Sequence, residues 1–126
     1  MKNAFSEVLQ LGSDICSLLT QAGITVYPIC PPVEATFPFV LYRRAGYTPA
    51  NDKDCYDTEA ECIFDFVVAS DSYPDSLHIA RLTNEAIIHL NDVSQVRLID
   101  ASEDILSEGT STIFIQTLIY KINKDS

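Results

Sequence analysis

Basic residues are scarce in this chain. Its 126 residues include eight Lys and Arg against eighteen Asp and Glu, a formal charge of −10 at pH 7. Proteins that grip nucleic acid neutralise phosphates with clustered cations, and here only Arg43 and Arg44 stand side by side. The charge balance therefore speaks against a phosphate grip, although an acidic surface suits a place beside DNA where sticking must be avoided. Long apolar runs are missing as well. No stretch approaches the ~18 apolar residues of a membrane span, and the opening MKNAFSEVLQ lacks the apolar core of an export signal. A soluble protein without a membrane partner is expected.

Metal and catalytic signatures are equally thin. The four cysteines, Cys16, Cys30, Cys55 and Cys62, form no C-x-x-C pair and lie far in sequence from both histidines, so a zinc site has no support. They are expected to be free thiols in a reducing compartment, with Cys62 and Cys16 as small core residues. His78 and His89 return to nearly one helix face after eleven residues, yet a rise of ~1.5 Å per residue separates them by about 16 Å, too far to share a metal. Four scattered glycines cannot build a phosphate loop, and no Ser, Cys or Lys sits in a nucleophile motif. Neither a cofactor nor catalysis is expected.

What the chain does have is a strand-and-helix centre. In Glu59–Ala69, EAECIFDFVVA, the residues Cys62, Phe64, Phe66 and Val68 share one side of an extended strand. The other side, Glu61, Ile63, Asp65, Val67 and Ala69, begins acidic and turns apolar. A helix over 73–90 follows, with Ser72 as its cap, Pro74 in its first turn and Asp75 near its positive end.

Around this centre the remaining elements fall into order. Residues 3–22 read as helix on the recurrence of Phe5, Val8, Leu9, Ile15, Leu18, Leu19 and Ala22. Gly12-Ser13 is expected to interrupt it and Gly23 to stop it. A short strand over 25–29 belongs at a sheet edge, because Pro28 cannot donate to a ladder. A proline-pinned loop over 30–38 leads to a strand over 39–48, a polar connection over 49–58, and the central strand. A bent strand over 96–106, a turn at Gly109 and a last strand over 112–122 complete a single domain, residues 1–126. The order α, β, β, β, α, β, β predicts an α+β fold: an antiparallel or mixed sheet of four to five strands with two helices packed on one face.

Two features are candidates for partner contact. On the last strand, Ile113, Ile115 and Ile119 oppose the face of Phe114, Leu118, Tyr120 and Ile122. Two helices on one face leave these isoleucines to be covered by a folded-back loop or by another subunit. The second feature is the acidic cluster Asp52, Asp54, Asp57, Glu59 and Glu61. Asp52-x-Asp54 opens like a calcium loop, but Tyr56 and Asp57 stand where a third ligand and the turn glycine belong. What remains is a solvated acidic loop or a recognition loop for a basic surface.

The layout resembles a known family. T-V-Y-P at 25–28, F-P-F-V-L-Y-R-R at 37–44, D-F-V-V-A-S-D-S-Y-P-D-S at 65–76 and a closing I-Y-K-I strand are similar to the tail-completion, or tail-terminator, proteins of long-tailed bacteriophages and prophages. The likeness spans nearly the whole chain and rests on Tyr27, Pro28, Pro38, Val40, Tyr42, Asp65 and Tyr73; the four cysteines and the acidic loop depart from it. It implies a non-enzymatic assembly protein, often a hexameric ring, that caps the finished tail tube and meets the head completion or connector protein. DNA would pass through its lumen. It also implies assembly in the bacterial cytoplasm and a final place in the neck of the virion. Asp52, Asp54, Asp57, Glu59, Ile113, Ile115 and Ile119 would carry partner contacts. A different head–tail connector or adaptor subunit, or a small-molecule-binding α+β domain, are the rival readings.

Overall fold

A computed structural model describes residues 4–49, 59–90 and 93–125, with side chains over 9–46, 61–90, 95–107 and 109–123. Its elements are α1 (Ala4–Gln21), β1 (Val26–Pro28), β2 (Phe39–Pro49), β3 (Glu59–Ser70), α2 (Tyr73–Ile87), β4 (Val93–Glu108) and β5 (Ser111–Asp125). The strands form one open sheet in the order β1-β2-β3-β5-β4. Among the described residues only β1 and β2 run parallel, and the other pairs are antiparallel. This is the expected α+β fold with a mixed sheet, and β1 sits at the edge as Pro28 requires.

The inner face of the sheet supplies most of the core. Val40, Cys62, Phe64, Phe66, Val68, Leu118, Tyr120 and Ile122 are buried there beneath Leu11, Ile15 and Leu19 of α1 and Ile87 of α2. Leu11, Ile15 and Leu19 recur at intervals of four, which lays one stripe of α1 on the sheet. The stripe corrects the expected core set. Leu9 is exposed and Ala22 lies outside the helix, while Leu11, which the expected periodic set omits, is buried.

Gly12-Ser13 does not interrupt α1, which runs unbroken. A single glycine weakens a helix by only ~1 kcal/mol, less than the packing of the leucine–isoleucine stripe returns. Gly23 does end the segment: its φ of +83° suits a residue without Cβ, and the Ile24 N–H donates back to the Leu19 carbonyl at 3.0 Å.

α2 starts where its cap predicts, with the Ser72 side chain accepting from the Asp75 N–H at 3.5 Å and proline in the first turn. It stops at Ile87, three residues before the expected end, and passes into a turn that holds His89. β4 is longer than expected, sixteen residues, and register shifts at Val93/Gln95 and Leu98/Asp100 explain its loose alternation.

Candidate functional site

The sheet has a second face, and the register places its residues in rows. Phe39, Ala69, Ile115 and Asp104 lie across one row; Leu41, Val67, Thr117 and Ser102 across the next; Arg43, Asp65, Ile119 and Asp100 across a third. Ile63, Lys121 and Arg97 follow, with Ile113 opposite Leu106 at the far end. Ile113, Ile115 and Ile119 therefore share this outer face, as their alternation predicts, and all three are half-buried. Both helices contribute to the core on the inner face.

Along its length the outer face changes character. At one end Phe39 is buried, stacked on Phe37 at 5.3 Å and edge-on to Tyr27 at 5.9 Å. Toward the other end charges take over. Arg43 donates to Asp65 at 2.7 Å, and Lys121 meets Glu61 at 3.1 Å. Partly solvated pairs of this kind contribute at most ~1 kcal/mol each, so they set the polarity of the face more than its stability. Ala69, Ile113, Ile115, Ile119, Leu41 and Val67 form an apolar band flanked by these pairs and by Asp100 and Asp104 of β4.

The acidic candidates fare differently. Asp52, Asp54 and Asp57 lie outside the described residues. Glu59 is placed only by its backbone, which opens β3; its side chain also lies outside them. Pro49 pairs with Ala60, so β2 ends and β3 begins at the Glu61–Lys121 end of the sheet, away from Ile113 and Ile115.

Sequence reasoning missed one polar cluster. Glu103 of β4 accepts from the Tyr73 hydroxyl and from the Gln116 amide, both at 2.9 Å, and the same amide reaches the Ser76 hydroxyl at 3.3 Å. Ser76 in turn donates to the Tyr73 carbonyl at 2.7 Å. Gln116 and Ser76 are buried; a buried amide left unpaired would be costly, and this arrangement satisfies it. The donors from Gln116 and Tyr73 hold the Glu103 carboxyl below its ordinary range, and the same bond raises the Tyr73 phenol. The cluster ties β4 to the start of α2. Its only signal in the sequence was a glutamine among apolar residues on β5.

Other titratable groups read as core. Burial pushes the Cys62 thiol up to about 11, Arg44 opposing. Burial also raises the Tyr120 phenol, whose hydroxyl donates to Asn84 Oδ1 at 2.6 Å. Cys16, Cys30 and Cys62 are free thiols, Cys62 fully buried, Cys16 half-buried and Cys30 exposed; Cys55 lies outside the described residues. His78 contacts Arg81 at 3.2 Å. Among the described residues no group of three or more His, Cys, Asp or Glu is arranged to hold a metal, and no helix is long and apolar enough to cross a membrane. A groove of about 480 Å³, lined in part by Ser13, Cys16, Tyr42 and Phe64, lies between α1 and the β1–β2 side and is open to solvent.

No protein-family model and no curated protein matches the chain. Among solved structures, it is similar to a chain described as "Virion of native gene transfer agent (GTA) particle", at 15% identity and a TM-score of 0.60, over 89% of this chain and 84% of that one. At that identity the likeness is one of fold.

Proposed function

We propose that this chain is a structural subunit of a phage-like particle: a tail-completion protein that caps the tail tube, forms a ring, and faces the head-side connector. The observation that carries the reading is the outer sheet face. Its apolar band, with Ile113, Ile115 and Ile119, lies opposite the helix-covered core. A half-apolar sheet face of this kind marks a surface for association. The fold is shared with a chain of a virion particle, and a charge of −10 suits a lumen that DNA must traverse without sticking. In this role the protein works by assembly, not by catalysis, and it ends in the neck of the virion after assembly in the bacterial cytoplasm.

The test is co-purification with the tail-tube protein of the same particle, followed by electron microscopy of the tubes. Density at one end of each tube, lost when Ile113, Ile115 and Ile119 are all changed to Ser in a protein that still folds, is the expected result. Tubes that never carry the protein at an end overturn the reading.

A further inference from the structure

We propose that the free edge of β4, over residues 100–107, takes an extended basic and apolar segment of another protein as an added strand. β4 is sixteen residues long and pairs only with β5 among the described residues. The backbone N–H and C=O groups on its other side therefore have no strand partner there, and a long edge of this kind invites one. The opposite margin of the sheet differs. There β1 is three residues long and ends in Pro28, the short and proline-marked kind of edge that resists pairing. β4 has its register shifts before Asp100, and residues 100–107 contain neither proline nor a cation.

The side chains of this stretch are uncovered on both faces of the sheet. Every residue from 97 to 107 is exposed, including Ile105 at 56% and Leu106 at 52%. Ile105 pairs with Phe114, whose ring meets Tyr73 of α2 on the inner side, while Leu106 pairs with Ile113 on the outer side. A helix laid on the sheet would cover one of the two and leave the edge amides bare. A strand added at the edge covers part of both and satisfies the backbone, because its side chains alternate in step with those of β4.

Charge selects the kind of segment. Asp100 and Asp104 share the outer face, opposite Ile119 and Ile115 of β5, and neither forms an ion pair among the described residues. The Asp104 carboxylate accepts from the Ile105 N–H at 2.8 Å, which leaves it capacity for further donors. Glu103 takes no part, since Tyr73 and Gln116 already engage it.

Opposite charges directly across a strand pair stabilise it, and like charges destabilise it. A second copy of this chain is therefore a poor occupant: β4 laid antiparallel on β4 about Ser102 sets Asp100 against Asp104 twice. The fitting segment, running antiparallel from Leu106 back to Asp100, reads apolar, apolar, basic, polar, polar, apolar, basic. It sets Lys or Arg across from both aspartates and aliphatic side chains across from Leu106, Ile105 and Ala101. A net charge of −10 also draws such a segment in from a distance.

The test titrates the whole chain, up to about 1 mM, into a labelled peptide with the core Val-Ile-Lys-Thr-Thr-Val-Lys, read by fluorescence anisotropy. Saturable binding is expected. Asp100→Asn combined with Asp104→Asn should weaken it about tenfold through the loss of two cross-strand charge pairs; Asn at 104 keeps an oxygen for the Ile105 N–H. A scrambled peptide of the same composition should bind as weakly as that variant does. Two N-methylated peptides, each blocking alternate amides, should differ, because only one set of amides along a strand faces its neighbour.

No binding at the highest concentration, or a scrambled peptide that binds equally well, overturns the strand addition. So does a doubly substituted chain that binds like wild type, or a pair of N-methylated peptides that behave alike. The inference does not rest on tube capping, and the peptide titration shares no variant with that experiment, so each stands or fails alone.

Discussion

The two faces of one sheet differ more than the residues on them do. Along β3, Cys62, Phe64, Phe66 and Val68 are at most 1% exposed, while Glu61, Ile63, Asp65 and Val67 between them are half-buried. Both faces contain apolar residues, and both cross the same strands. The inner face is apolar over Val40, Cys62, Phe64, Phe66, Val68, Leu118, Tyr120 and Ile122, and the helices lie there. The outer face is broken by Arg43–Asp65 and Glu61–Lys121. Covering it with the chain's own helices would strip water from four charges, an expense that paired geometry at best offsets. A face that is apolar only in part is suited to a partner met after folding.

The comparison breaks most sharply at the aromatic pair. Phe64→Ala or Phe66→Ala is expected to lose ~3–5 kcal/mol of stability, measured from denaturant midpoints, because each deletes a fully buried ring. A loss below ~1 kcal/mol would mean that the inner face is not the main core.

A subtler break lies at Tyr120, where Phe keeps the ring and removes the hydroxyl donated to Asn84. The expected loss is ~1–2 kcal/mol, the cost of leaving a half-buried amide oxygen without its partner. Thermal melts that match wild type would show that water replaces the bond.

On the outer face the effect should shrink again. Ile115→Ala and Ile119→Ala are expected to cost about 1 kcal/mol or less in the isolated chain, while tube capping is lost. A stability loss as large as that of Phe66→Ala would make this face a second core and remove it as a partner surface.

The smallest effect belongs to Glu103. Its pKa is lower folded than unfolded, chiefly through the Gln116 amide and then the Tyr73 hydroxyl. Its contribution is therefore present above the ordinary glutamate value of 4.5 and fades as pH falls through the lowered folded value. Glu103→Gln should melt slightly below wild type at neutral pH and converge with it in acid. A gap that does not depend on pH would mean that the carboxylate plays no part in holding β4 to α2.

Several elements were legible because their signals are local. Alternation assigned the two sides of β3 correctly, and Ser72, Pro74 and Asp75 marked the start of α2 to the residue. Pro28 located an edge and Gly23 a helix end. Other readings failed where local and tertiary terms compete. Gly12 looked like a break, yet the stripe of Leu11, Ile15 and Leu19 holds the helix through it. The Ile113, Ile115 and Ile119 candidates could be placed on one face from alternation alone, whereas Asp52, Asp54 and Asp57 lie outside the described residues.

By itself the sequence determined the periodicities, the caps, the scarcity of cations and the α+β order of elements, because each depends on residues within one or two turns of each other. Only the tertiary structure decided the strand order β1-β2-β3-β5-β4 and the pairing that brings Glu103 to Tyr73 across thirty residues. It also decided that Arg43 meets Asp65 and that Lys121 meets Glu61. Those juxtapositions join residues far apart in the chain, and closing such loops costs entropy that only the assembled core repays.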